Sequence, residues 1–143
     1  EGYKLRPSVH LSRRPDEPGD PSLRDFYTML LSALRHPAAI RGHWQLLACR
    51  EAWPGNPSWD RFLACAWDDP EGGHLVVAVN YGPDRGQCYV SLPDGLPPAG
   101  LVRFRDLTGP AVYDRDATDL AARGLYLDMP AWGYHVFAVE QAG

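Results

Sequence analysis

The chain has 143 residues, 45% hydrophobic and 22% charged, with a formal net charge of -4 at pH 7. This length fits one domain around a single full core, and the acidic balance argues against nucleic acid, whose phosphates demand a basic footprint. No run approaches the roughly 18 apolar residues of a membrane span and no signal-peptide pattern opens the chain, while a first residue of Glu rather than Met reads as a piece of a longer polypeptide.

Residues 1–20 read as irregular. Val9 and Leu11 suit a short extended piece, and the run from Arg13 to Pro21 holds too many prolines for helix or central strand. Its charges alternate in sign, as in a solvated connector. A helix follows. Asp20 is a good N-cap, and Pro21 suits the first helical position because its missing N–H would be unpaired there anyway. Leu23, Phe26, Tyr27, Leu30, Leu31 and Leu34 then recur at helical spacing and form a wide apolar stripe. Pro37 disfavours the α conformation at His36, so the helix is expected to end near Arg35 or His36, with His36 favouring its C-terminal dipole. A further turn through Ala38–Arg41 is expected to end on Gly42 as a left-handed cap.

From His43 the apolar period changes to two, the signature of strands. Strands are expected near 43–50, 60–67, 74–81, 86–92, 101–107, 111–114, 124–129 and 133–140, separated by clusters rich in Gly, Pro and Asp. Leu75-Val76-Val77-Ala78-Val79 is continuously apolar, which marks a central strand covered on both faces. Residues 115–123 suit either a helical turn or a loop. The chain closes on two extended arms around Pro130-Ala131-Trp132-Gly133, read as a hairpin with Gly133 free to take positive φ. The fold class is mainly β: an antiparallel Greek-key-type β-sandwich of about seven or eight strands preceded by one amphipathic helix. Trp44, Trp67 and Trp132 are expected in its core.

Residues 1–43 carry seven Lys/Arg against five Asp/Glu, and the remainder seven against thirteen, so the acidic excess belongs to the sheet region. Cys49, Cys65 and Cys88 are odd in number and lack C-x-x-C spacing, which argues against a zinc site or a disulfide framework. They read as buried, inert thiols and favour a reducing, cytoplasmic setting. Asp114, Asp116 and Asp119 lack the Gly and downstream Glu of a calcium loop. No nucleophile elbow, P-loop or zincin motif occurs. No catalytic residue, metal or cofactor is therefore expected. Trp53 and Trp59 bracket a Pro-stiffened loop and, with Tyr81 and Tyr113, are candidates for stacking on sugar rings. The alternative is that they cover an open end of the sandwich.

Arg13-Arg14-Pro15-Asp16-Glu17-Pro18, Leu23-Arg24-Asp25-Phe26-Tyr27, Leu30-Leu31, Leu34-Arg35-His36-Pro37-Ala38 and Gly42-His43-Trp44-Gln45-Leu46-Leu47 resemble, in that order, the C-terminal part of bacterial α-amylase-like enzymes of glycoside hydrolase family 13. Leu75–Tyr81 and the closing Gly124–Phe137 extend the resemblance over nearly the whole chain. The resemblance implies that residues 1–42 correspond to a connector and the last helix of a (β/α)8 barrel, and residues 43–143 to the C-terminal β-sandwich. The family's catalytic carboxylates lie upstream in its barrel, so the implied role is a non-catalytic accessory domain, with binding of α-glucan as the alternative. The implied partner is the barrel of the same polypeptide. Without it, Leu23, Phe26, Tyr27, Leu30, Leu31 and Leu34 are expected to bury against the sandwich or in a homodimer, since covering such a side chain is worth about 1.5–3 kcal/mol. The resemblance also makes Trp132 a plug of the sandwich end.

Overall fold

The computed structural model describes residues 18–71 and 73–142. The connector, its Val9–Leu11 piece and the Arg13–Glu17 part of the resemblance lie outside the described residues. The first helix, α1, runs from Pro21 to Ala33. The Asp20 carboxylate accepts from the backbone N–H of Ser22 at 2.9 Å and of Leu23 at 3.4 Å, satisfying two donors that a helix start leaves open. The helix ends slightly earlier than expected because α2, Pro37–Arg41, begins at once. His36 is the N-cap of α2: its Nδ1 accepts from Ala38 N–H at 3.3 Å. That acceptor role requires a neutral ring, and burial, then the Arg105 charge, pushes its pKa below the ordinary value. The expected dipole role for a cationic His36 is therefore replaced by a capping role. Gly42 is also corrected. It is extended, with φ -71° and ψ 158°, and a Cβ there would lie 2.4 Å from the Ala38 carbonyl oxygen. Close backbone approach, not handedness, demands the glycine.

The strands are β1 His43–Leu47, β2 Cys49–Glu51, β3 Phe62–Asp69, β4 Gly73–Asn80, β5 Gly86–Val90, β6 Leu101–Asp106, β7 Val112–Asp116, β8 Leu125–Met129 and β9 Tyr134–Gln141. They form a six-stranded sheet in the order β1-β3-β4-β9-β6-β7 and a three-stranded sheet in the order β2-β5-β8. All pairings are antiparallel, and the mainly antiparallel β fold is the one expected. One expected strand, 43–50, is two. The chain leaves the large sheet after Leu47 and enters the small one at Cys49, a change of sheet that keeps the period of two and so leaves no mark in the sequence. The uncertain stretch 115–123 ends β7 and supplies α3, Ala117–Arg123, capped by the Asp116 carboxylate and stopped at Gly124 with φ +81°.

The closing segment differs most from expectation. β8 pairs with β5 in the small sheet, whereas β9 lies between β4 and β6 in the large one. Residues 130–133 are thus an arch between sheets, not a hairpin turn. The positive φ falls on Trp132, at 57°, and not on Gly133. Gly133 is needed for room: a Cβ there would lie 3.0 Å from the Pro130 carbonyl oxygen. The strained arch turns the indole outward, so Trp132 is 57% exposed and does not plug the core. The 3–5 kcal/mol loss appropriate to removing a buried aromatic does not apply to it. Trp44 is likewise on the surface and Trp67 only half-buried.

The core lies between the sheets. Val76, Ala78, Phe104, Phe137 and Val139 of the large sheet meet Cys88, Val90, Leu125, Leu127 and Met129 of the small one, with Leu120 of α3 closing one side. Phe104 and Phe137 pack edge to face with centroids 5.8 Å apart. Asn80, fully buried at the end of β4, donates through Nδ2 to the carbonyls of Asp84 at 2.8 Å and Pro130 at 2.9 Å. It ties the β4–β5 loop and the start of the arch to the end of β4, and so holds the sheet crossing in place.

Candidate functional site

The second apolar surface lies on the opposite face of the large sheet. Ala33 of α1, Ala38 of α2, Leu75 of β4 and Val136 of β9 are buried together there, with Trp67 and Val77 partly covered. Arg41 of α2 reaches the Asp69 carboxylate at 2.7 Å and pins this short helix to β3. Beyond that small cluster the face is open. The cross-strand register runs Trp44–Trp67–Leu75, Leu46–Cys65–Val77–Val136 and Leu63–Val79–Tyr134, so these rows share one face because side chains paired across a ladder point the same way. Within those rows Trp44, Leu46 and Leu63 are each more than half exposed.

The α1 stripe continues this surface. Phe26 sets its ring edge-on to Tyr134, centroids 5.9 Å apart, and Leu30 is half-buried. The rest faces solvent, with Leu23 51%, Tyr27 51%, Leu31 59% and Leu34 39% exposed. Of the two expected coverings, the sandwich or a second copy, packing on the sandwich is thus corrected for most of the stripe. On α1 only Ala33 is buried against the sheet, with Phe26 edge to face on Tyr134, while Leu23, Leu31 and Leu34 stay exposed. Nine large apolar side chains on one helix and one sheet face are more than isolated surface hydrophobes, and such patches mark a contact surface.

The four residues singled out for sugar stacking do not form one platform. Trp53 and Trp59 are both on the surface, around a loop braced by Asn56, whose Oδ1 accepts from Ser58 N–H at 2.8 Å. No ring contact joins the two indoles among the described residues. Tyr81 follows β4 and is 74% exposed, with the ring of Trp132 edge-on at 5.5 Å. Tyr113 lies on β7, the far edge of the large sheet, its ring 5.8 Å from Phe137. Trp132 is the residue that sequence reasoning missed in this group. Its neighbours Pro130 and Gly133 predicted a turn, but only the direction of the arch shows which way the indole points.

Titratable groups are paired for support more than for reaction. Asp106, at the end of β6, accepts from Thr108 N–H at 2.9 Å and Thr108 Oγ1 at 2.7 Å, and its Oδ2 lies 2.7 Å from His135 Nδ1. The His135 ring stacks on Phe137 at 4.8 Å. A second pair joins His74 Nδ1 to Asp68 at 3.2 Å. Neither pair has a serine or cysteine beside it in the hydrogen-bond network of the described residues, so neither forms a nucleophile–base–orienter array. No group of three or more His, Cys, Asp or Glu able to hold a metal occurs among the described residues.

The fold and its open face define a helix-flanked antiparallel β-sandwich domain. No protein-family model and no curated protein matches the chain. Among solved structures it is similar to an inactive double mutant of MutB in complex with isomaltulose, at TM-score 0.51 and 22% identity, over 85% of this chain and 19% of that one. The trehalulose synthase MutB from Pseudomonas mesoacidophila MX-45 matches at TM-score 0.49 and 23% identity, again over 85% of this chain and 19% of that one. The chain thus has the fold of a segment of the first of these structures, and it spans about one fifth of the length of each.

Proposed function

We propose that this chain is a non-catalytic C-terminal accessory domain of an α-amylase-like glycoside hydrolase, and that the open face of α1 and the large sheet packs on the catalytic (β/α)8 barrel of the same polypeptide. The observation that carries the reading is the unpartnered stripe Leu23, Phe26, Tyr27, Leu31 and Leu34 beside Trp44, Leu46 and Leu63. A helix whose apolar residues project away from its own domain is what remains when its packing partner is removed. Two further observations support it: the ordered resemblance of α1, β1, β4 and the β8–β9 segment to that family, and a fold shared with a segment of a MutB structure in complex with isomaltulose. In this reading the domain stabilises the barrel and takes no part in bond cleavage.

Leu31→Asp together with Leu34→Asp separates this role from a purely local one. In the isolated chain both side chains are in water, and the change should alter stability by less than about 0.5 kcal/mol, as for other surface sites. In the enzyme-length polypeptide it should bury two carboxylates against the barrel and lower the thermal midpoint by roughly 5 °C or more. Equal losses in both contexts, or no loss in the longer one, overturn the proposal. A dimer of the isolated chain that the same pair of substitutions dissolves would assign the face to a second copy instead.

The exposed pair Tyr81–Trp132 gives specific support to the second reading, an α-glucan-binding surface, because aromatic rings held in solvent by backbone geometry are able to stack on sugar faces. Titration with maltooligosaccharides, following the indole N–H signals by NMR, should then shift Trp132 at millimolar sugar and leave Trp67 unmoved. No shift at Trp132, Trp53 or Trp59 leaves only the supporting role.

A further inference from the structure

Two of the three thiols meet in the fold. Cys49 lies on β2 and Cys88 on β5, where the register sets Cys49 opposite Val90 and Cys88 opposite Glu51. Ser91 N–H donates to the Ala48 carbonyl at 2.9 Å, so the next pair, Cys49 and Val90, is the close, non-hydrogen-bonded kind. The right-handed twist of the sheet then brings Cys49 toward the diagonal residue two positions before Val90, which is Cys88. The neighbouring thiols act on each other's ionisation: the contact holds the Cys49 pKa below the ordinary thiol value, and contact and burial push that of Cys88 up. Their exposure is unequal as well. Cys49 is half-buried at the margin of the core, whereas Cys88 is sealed inside it. Cys65 is placed differently, on the outer face of the large sheet between Leu46 and Val77.

We propose that Cys49 and Cys88 are a peroxide-sensitive dithiol, with Cys49 the attacking thiol and Cys88 the resolving one. The Cys49 thiolate attacks one oxygen of hydrogen peroxide, the O–O bond breaks, and the leaving hydroxide takes up a proton as water, leaving Cys49 as a sulfenic acid. The Cys88 sulfur then displaces the sulfenic hydroxyl; its thiol proton leaves with that oxygen as a second water, and the S–S bond forms. Two thiols are oxidised and one peroxide is reduced to two waters. A diagonal pair reaches disulfide geometry only with a backbone shift, and here that shift falls on β2, an edge strand of three residues. The bond ties this edge to the centre of the small sheet.

The probe is hydrogen peroxide itself, applied to the Cys65→Ser chain, followed by alkylation and peptide mapping. The expected result is one linked pair of peptides carrying Cys49 and Cys88, with both thiols lost together and both returned by dithiothreitol. In Cys88→Ser, Cys49 has no resolving thiol and should accumulate as a sulfenic acid that dimedone traps. Should that buried substitution unfold the chain, Cys49→Ser serves instead, and Cys88 should then stay unmodified under the same peroxide. The proposal is overturned if Cys49 and Cys88 both alkylate after peroxide treatment, if Cys49 passes to sulfinic acid while Cys88 stays free, or if links form only between molecules.

Discussion

Replacing Phe137 by Ala should lower stability by about 3–5 kcal/mol, the range for removing a large aromatic from a packed core. Phe137 is fully buried on β9, with Phe104 and Tyr113 each at a centroid distance of 5.8 Å and the His135 ring stacked at 4.8 Å. β9 sits between β4 and β6, so the cavity would open at the middle of the large sheet, where neighbours on both sides are already paired and least able to collapse. Urea unfolding monitored by circular dichroism measures the loss. Phe26→Ala in the same isolated chain is the control, expected below about 1 kcal/mol because its ring packs edge to face on Tyr27 and Tyr134 at the surface and is already 36% exposed. A Phe137 effect no larger than that of Phe26 would place β9 outside the core and refute the sheet order.

Asp106→Ala should cost about 3 kcal/mol, the scale for removing a buried carboxylate and leaving its hydrogen-bond donors unpaired. Its carboxylate is almost fully buried and accepts from Thr108 and Val136 as well as facing His135. Burial pushes its pKa up, but the hydrogen bonds from His135, Thr108 and Val136 outweigh burial and hold the carboxyl below the usual carboxylate range. A depressed folded pKa contributes stability that is complete above the unfolded value and is lost as pH falls through the folded one. The difference in stability between the native chain and Asp106→Asn should therefore be largest near neutrality and shrink on acidification below about pH 4. Urea midpoints at a series of pH values test this. A difference that stays constant from neutrality into acid would show that the carboxylate's charge contributes nothing and that only its shape matters.

Local chemistry was legible where one residue acts on its neighbours. Asp20 and Pro21 start α1 because a carboxylate and a missing N–H suit a helix end whatever surrounds it. The apolar run from Leu75 to Val79 marks the central strand β4, since only a strand with neighbours on both sides tolerates apolar residues on both faces. Aromatic and β-branched residues at period two from Tyr134 to Val139 mark β9 as a strand. Pairing partners were not legible. The strand read at 43–50 changes sheet at Ala48, and the two closing arms belong to different sheets, because a period of two states which residues face alike and not against which strand they lie.

The candidate surfaces divide along the same line. Residue spacing alone shows that α1 carries an apolar stripe and that a mainly antiparallel sandwich follows it, and the residues themselves resemble the end of an α-amylase-like enzyme. Tertiary structure decided that the stripe faces outward from its own domain, that Trp132 leaves the core beside Tyr81, and that Cys49 lies diagonal to Cys88. Each of these depends on where a chain crosses between sheets, and a crossing is fixed by contacts among residues far apart in sequence. Spacing within one segment carries the first kind of information, and only the packed fold carries the second.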